Sequence, residues 1–223
     1  MNSVIGEILP LALGVAISPV PIIAAILMLL SPGARGTSVG FLGGWVLGIV
    51  VAVVVFTLLA SVLPDAEDST SKPVAGALMI ILGLLLLVLA AKQWRSRPRG
   101  DTEPALPRWM GAIDTMTAAR ALVLGFLLSA VNPKNLLMAA AAGIAIGSAD
   151  LTLNGSVVAV AVFTLIAAST VAVPVIAYLL ATDRMAAPLE SLRTWLVKNN
   201  STVMAVLLLV IGVVLVGKGI SRF

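Results

Sequence analysis

The stretch SAVNPKNLLM, residues 129–138, interrupts an apolar segment that extends over residues 121–147. Its centre is a run of four residues unusual for such a segment: Asn132, Pro133, Lys134 and Asn135. If the segment crosses a bilayer, a lysine near its centre costs about 2.5 to 3.5 kcal/mol unless it finds water or a partner, or loses its proton. Because this cost needs a compensating reason, the stretch indicates a functional site.

Composition places the chain in a membrane. The 223 residues are 60% hydrophobic and 11% charged, the mean hydropathy is +1.14, and several apolar runs reach the roughly 20 residues that cross a bilayer as helix. We predict one membrane domain over residues 1–223, with no cleavable signal peptide because no Lys or Arg precedes the first apolar run. Cys and His are absent, which argues against disulfides, imidazole metal sites and histidine proton relays. No metal or cofactor is expected.

The charges predict the orientation of six spans, at residues 4–30, 38–63, 74–91, 121–147, 154–180 and 201–218. The connections after spans one, three and five carry ten Lys and Arg, against three on the other side, so both termini are expected to face outward. An acidic loop with Asp65, Glu67 and Asp68 lies on the outer side. The pI near 10 then reflects this bias and contact with anionic membrane lipids, and nucleic acid is not an expected partner.

Two cytoplasmic segments have the spacing of helices that lie on a membrane surface, although plain loops are an equal alternative. In the last connection Leu189, Leu192 and Leu196 share one face beside Trp195, and the Asn pair 199–200 is expected to end the helix. A weaker example surrounds four residues of the central connection, Trp109, Met110, Ile113 and Met116.

The two halves of the chain resemble each other. LALGVAIS (11–18) aligns with LVLGFLLS (122–129), and VFTLLA (55–60) aligns with VFTLIA (162–167). Because each half crosses the membrane three times, the second half must begin on the opposite side and has the opposite orientation. We therefore predict an all-α integral membrane protein built as a 3+3 inverted repeat: repeat one at 1–92, a basic cytoplasmic linker at 93–120 and repeat two at 121–223.

Proline follows the aligned serine in both halves. Ser18 precedes Pro19 and Pro21 in span one, and Ser129 is followed by Pro133 in span four. Proline removes a helical hydrogen bond, which lipid tolerates only beside a cavity or a group that takes up the freed carbonyls. Either proline alone is most simply a packing kink. The matched pair predicts broken helices 1 and 4 and a site near mid-membrane.

The residues at the breaks suit an anion. Asn132 with Pro133, and Ser18 with Pro19, have the pattern of a helix cap followed by a first helical turn. Two half-helices that begin there would direct their positive dipole ends to the membrane centre, where Lys134 adds a charge and Asn135 a hydrogen-bonding group. An anionic ligand would neutralise this charge. Alternatively, Lys134 carries a coupling proton, because desolvation favours the neutral amine.

Span five supplies weaker candidates for substrate binding: Thr164, Ser169 and Thr170. Hydroxyls in membrane helices usually bond their own backbone, which is the alternative for each of them. Gly40, Gly44 and Gly48 repeat at every fourth position and predict close helix packing, within the chain or in a homodimer.

Six spans with outward termini, SPVP (18–21) in the first, NPKN (132–135) in the fourth and a long basic loop resemble the LysE superfamily of exporters. Within it the whole chain is most similar to the peptidoglycolipid-addressing (GAP) family. This resemblance implies movement of envelope glycolipids across the bacterial cytoplasmic (inner) membrane. It gives functional weight to seven residues: Ser18, Pro19, Pro21, Asn132, Pro133, Lys134 and Asn135. Relatives that move electrons or metals use paired cysteines or acidic and histidine ligands, and this chain has none at its midplane.

The sequence therefore predicts a secondary transporter or flippase-like exporter of an amphipathic, anionic lipid or glycolipid. Two alternatives stay open: an exporter of a small anion or amino acid, and a non-transporting accessory subunit of a larger lipid export machine. An enzyme is not expected, since Ser129 and Lys134 would not share a helix face and no oxyanion donor is evident.

Overall fold

The computed structural model describes residues 2–62, 71–97 and 108–221, which are mainly helical and contain no strand. The acidic loop at 65–68, the linker residues 98–107 and Arg222 lie outside these ranges. A short 3₁₀ helix, Arg108–Thr115, accompanies eight α-helices: α1 Asn2–Ala16, α2 Pro19–Leu29, α3 Ala34–Ser61, α4 Ser71–Arg95, α5 Ala118–Ala130, α6 Pro133–Gly147, α7 Leu153–Leu180 and α8 Thr182–Ile220.

Four to six of the described segments are able to span a membrane, so the chain is a multi-pass membrane protein. The helices α3, α4, α7 and α8 are each long and apolar enough alone. The pair α1 and α2 bends by 51° and the pair α5 and α6 by 62°, and each pair qualifies when counted as one broken span. The helix breaks predicted at the two prolines are confirmed.

The last helix is longer than predicted. α8 has 39 residues, or about 58 Å, which is nearly twice the roughly 30 Å hydrocarbon core. The prediction that Asn199 and Asn200 end a separate surface helix was wrong. The amide nitrogen of Asn199 donates to the carbonyl of Trp195 at 2.9 Å, so this side chain bonds back onto the helix that continues past it. Leu189 and Leu196 are buried in the common hydrophobic core, which holds this segment against the protein.

The central connection also contains a short helical segment. The 3₁₀ helix Arg108–Thr115 covers most of the weaker amphipathic segment predicted there. Its Ile113 is buried, and the helix packs against α2. This segment of the central connection therefore packs on α2, the second half of the first broken pair.

Glycines bring α3 and α5 into backbone contact. A Cβ added to Gly44 would overlap the carbonyl oxygen of Leu122, whereas a Cβ on the neighbouring Gly43 would meet nothing within 4 Å. Gly40 and Gly48 face α5 in the same way. The predicted close packing of these glycines thus occurs within the chain, and it holds α5, the helix before the second break, against α3.

Candidate functional site

The first break leaves backbone acceptors without helical donors. Pro21 lies four residues after Ile17 and has no N–H, so it cannot donate to the Ile17 carbonyl. The N–H of Ser18 donates to Ala16 at 2.8 Å and is therefore not available to Gly14. The carbonyls of Gly14 and Ile17 need other donors, because an unpaired carbonyl in apolar surroundings is costly.

Lys134 supplies these donors. Its Nζ donates to the carbonyl of Gly14 at 2.6 Å, to that of Ile17 at 3.3 Å and to the hydroxyl of Ser18. The side chain is buried, and an ammonium has three hydrogens to donate. Nζ thus lies at the carbonyl end of α1, where the negative end of the helix dipole favours a protonated amine. Lys134 is therefore held in the interior without a carboxylate partner, because backbone carbonyl oxygens accept the hydrogen bonds of its amine.

The second break begins α6 as predicted. Asn132 is the N-cap residue, its side-chain oxygen accepts from the N–H of Lys134 at 3.1 Å, and Pro133 is the first helical residue. Ser18 is the N-cap residue of α2 and Pro19 is its first helical residue, as predicted, but the Ser18 side chain makes no capping bond. An N-cap side chain bonds the second or third N–H of its helix, and the third residue here is Pro21, which has none. The Ser18 hydroxyl instead donates to Asn135 Oδ1 at 3.3 Å.

Asn135 joins the second break to the first. It is buried, accepts from Ser18 and donates its amide to the carbonyl of Leu128 at 3.1 Å. Leu128 lies four residues before Asn132, where α5 has already ended, so its carbonyl lacks the usual helical donor. Polar side chains that follow the second break therefore satisfy carbonyls of both interrupted helices. We call Ser18, Lys134, Asn135 and the carbonyls of Gly14 and Ile17 the break cluster.

The three candidates from span five, all on α7, have different environments. Thr170 donates its hydroxyl to the carbonyl of Ala16 at 2.5 Å and so extends the break cluster. Ser169 donates to Ile166 in its own helix at 2.7 Å. Thr164 is buried, and its hydroxyl has no hydrogen-bond partner among the described residues. The structure brings Thr170 alone of these three into contact with the break.

A cavity of about 270 Å³ borders the break cluster. Its lining has no acidic residue and combines both breaks with the end of α4 and part of α8: Ser18, Pro19, Val20, Pro21, Leu89, Lys92, Gln93, Asn132, Pro133, Lys134, Asn200, Met204 and Leu208. Lys92, Lys134 and the N-terminus of α6 make it electropositive. Its amides can donate hydrogen bonds as well, so the cavity suits an anionic group.

A second depression, which we call the α1–α8 groove, has a volume of about 580 Å³ and is almost entirely apolar. Its walls are one face of α1 and one face of α8: Pro10, Leu13, Gly14, Ile17, Trp195, Asn199, Thr202, Val203, Val206, Leu207, Val210 and Ile211. Two of these residues, Gly14 and Ile17, also contribute carbonyls to the break cluster. The groove and the cavity thus lie on either side of the same helix break.

Sequence reasoning missed several members of the site. The spacing of Pro21 after Ile17 is a readable signal that one carbonyl would need a donor. Lys92, Gln93 and Asn200 carry no such signal, because nothing in the local sequence indicates that the end of α4 and the middle of α8 face the breaks.

Comparison with known proteins gives one match. A family model described as SfLAP, "Sap, sulfolipid-1-addressing protein", matches residues 8–221. The matched region contains both breaks, the cavity and the α1–α8 groove. No curated protein and no solved structure matches the chain.

Proposed function

The chain belongs to the SfLAP (Sap, sulfolipid-1-addressing protein) family, and from this membership and the geometry of the site we propose that it is a flippase-like secondary exporter of an anionic lipid or glycolipid. The family description names a sulfolipid, which carries an anionic head group and apolar chains. An electropositive cavity beside an apolar groove is a suitable environment for both parts of such a molecule.

The observation that carries the proposal is the meeting of the two broken helices at the cavity. Lys134 uses its donors on the break cluster and attracts an anion through its charge. Lys92 is exposed at the cavity wall, and Asn132 and Asn200 add amide groups. In this proposal the head group is held by Lys92, the amides and the N-terminus of α6, and Lys134 ties the two breaks together beneath it.

The same proposal includes the topology. Each half of the chain contains a broken pair followed by two long helices, which supports a 3+3 inverted repeat of the LysE type within one membrane domain. The excess of Lys and Arg in alternate connections supports outward termini. The proposed location is the bacterial cytoplasmic membrane.

Export of a small anion is a second candidate, since a cavity of about 270 Å³ suffices for one. The adjacent apolar groove favours the lipid, because a small anion has no apolar chain that could bind there. An accessory role in a larger lipid export machine would use the same head-group site without transport.

These candidates can be separated by a transport assay with the full chain in liposomes. A fluorescent sulfated glycolipid is placed in one leaflet, and its appearance in the other is followed beside an uncharged analogue and a small organic anion. We expect the sulfated lipid to move. Lys134→Ala should reduce its rate roughly tenfold, equivalent to about 1.4 kcal/mol, and Lys92→Ala severalfold.

Lys92→Ala removes an exposed side chain and should leave folding intact. A lower transport rate in this variant therefore cannot be attributed to misfolding. Lys198→Ala is the matched control, because Lys198 is exposed on α8 and does not line the cavity. If neither lysine of the cavity affects the rate, the cavity is not the head-group site. Lipid movement equal to that in protein-free liposomes would instead favour the accessory role.

A further inference from the structure

The helix α8 divides the site into two compartments. Asn200, Met204 and Leu208, spaced by four residues, line the electropositive cavity. Asn199, Val203 and Val206 lie on another face and line the α1–α8 groove. On α1, Ile17 lines the groove while the next residue, Ser18, lines the cavity. A molecule with a polar head and an apolar chain therefore finds the two environments it needs on opposite sides of the same short segments.

The groove follows α8 from its Trp195 end. From Trp195 to Ile211, α8 advances by about 24 Å, most of the roughly 30 Å hydrocarbon core. Trp195 marks one end, and tryptophan is enriched at the membrane–water interface. The other end lies near Gly14, where a Cβ would collide with Ile211. The groove thus extends from the Trp195 end to the α1 residues that precede the break, Pro10 to Ile17.

The helix contacts indicate which side of the site is open. α1 packs against α6, whereas the corresponding pair in the repeat, α5 and α2, makes no comparable contact among the described residues. In an inverted repeat, such a difference between equivalent pairs distinguishes the closed side of a carrier from its open side. The cavity lies toward the open pair and reaches Lys92 and Gln93, next to the basic linker. The cavity is therefore open toward the basic connections, and the groove begins at Trp195, in the connection that the sequence predicts before the last span.

We propose that the protein loads its lipid from the leaflet next to these basic connections, with the anionic head group in the cavity and one acyl chain in the α1–α8 groove. This inference rests on the proposed function and adds to it the loading leaflet and the location of the chain. Charge complementarity favours an anionic lipid in this site. The acyl chain of any lipid can bind in the groove, but only an anionic head group also binds favourably in the electropositive cavity.

Photocrosslinking of the full chain in liposomes tests the inference. The probes are an anionic lipid and its phosphatidylcholine counterpart, each with a diazirine near the end of one acyl chain, and the labelled residues are identified by mass spectrometry. We expect the anionic probe to label residues 10–17 and 203–211 at least fivefold more than the zwitterionic probe.

A tryptophan in the groove should compete with the chain. Val206→Trp is expected to reduce the labelling of residues 10–17 severalfold and to slow transport. Val213→Trp is the matched control, since Val213 is the same residue type on the same helix, is similarly exposed at 57% against 51%, and lies outside the groove. The control should leave labelling and transport unchanged.

Failure of this inference is distinguishable from failure of the proposed function. If lipid moves in a Lys92-dependent way but labelling lies outside the groove or is equal for both probes, the chain site is refuted and the exporter proposal stands. Crosslinks between two protein copies at these residues would also refute it, because a second protomer would then cover the groove. If the anionic probe labels the groove residues selectively but no lipid moves between the leaflets, the lipid-binding site is supported and the transport proposal is refuted.

Discussion

The hydrogen bond between Lys134 and Ser18 should be measurable as a coupling energy. Lys134→Met removes the ammonium and keeps an unbranched side chain, and Ser18→Ala removes the hydroxyl that accepts from it. Hydrogen bonds between membrane helices contribute about 0.6 kcal/mol on average in double-mutant cycles. A charged donor roughly doubles the strength of a hydrogen bond, so we expect a coupling of about 1.2 kcal/mol. This corresponds to a factor of about seven in the unfolding equilibrium constant.

The assay is the free energy of unfolding of the purified chain in mixed detergent and SDS micelles, for the two single variants and the double variant. A second cycle pairs Lys134→Met with Ser169→Ala, whose hydroxyl bonds its own helix. We expect that control coupling to lie within about 0.3 kcal/mol of zero, the usual error of additivity. If the Ser18 cycle gives the same small value, Lys134 does not hold the two breaks together as described.

Three further changes test other parts of the fold by the same unfolding measurement. Gly44→Ala should destabilise the protein by about 1 to 3 kcal/mol, because the new Cβ would overlap the backbone of α5. Gly43→Ala should stabilise α3 by up to about 1 kcal/mol, because Gly43 has open space around it and alanine favours the helix. Similar losses for both would contradict the glycine contact. Thr170→Val should cost about 0.6 kcal/mol through its bond to Ala16, and no loss would show that this bond is absent in solution. Asn132→Ala should cost about 1 kcal/mol and Asn132→Ser much less, since serine can also cap α6; equal losses would exclude capping as the cause.

Much of the site was predictable because proline acts on its own backbone. Pro19, Pro21 and Pro133 each prevent a particular hydrogen bond, so the two breaks can be read from the sequence directly. The cap formed by Asn132 follows from the same local chemistry. The proximity of the two breaks was expected from the predicted repeat, in which Pro19 and Pro133 have matching positions.

The partner of Lys134 could not be predicted in this way. From the sequence, its nearest helix terminus is the N-terminus of α6, which is unfavourable for a cation. The structure turns the side chain to the C-terminal carbonyls of α1, which are 117 and 120 residues away in the chain. Backbone acceptors have no residue signature, and only the folded arrangement brings them to the ammonium.

The length of α8 was missed for a related reason. Two consecutive asparagines usually favour a helix end, because their side chains compete for backbone groups. Here Asn199 bonds back to Trp195, and core residues of α8 lie on both sides of the asparagines, with Leu196 before them and Leu208 after them. Tertiary contacts thus decide a boundary that local preference would set elsewhere.

An unbroken helix of about 58 Å transmits displacement from one end to the other. Because α8 contributes to both compartments of the site, a tilt that widens one of them also displaces the N-terminal half of the helix. A tilt of about 10° about the Ile220 end moves the Thr182 end by roughly 10 Å. The N-terminal half of α8, which packs on the protein through Leu189 and Leu196, therefore moves together with the walls of the site.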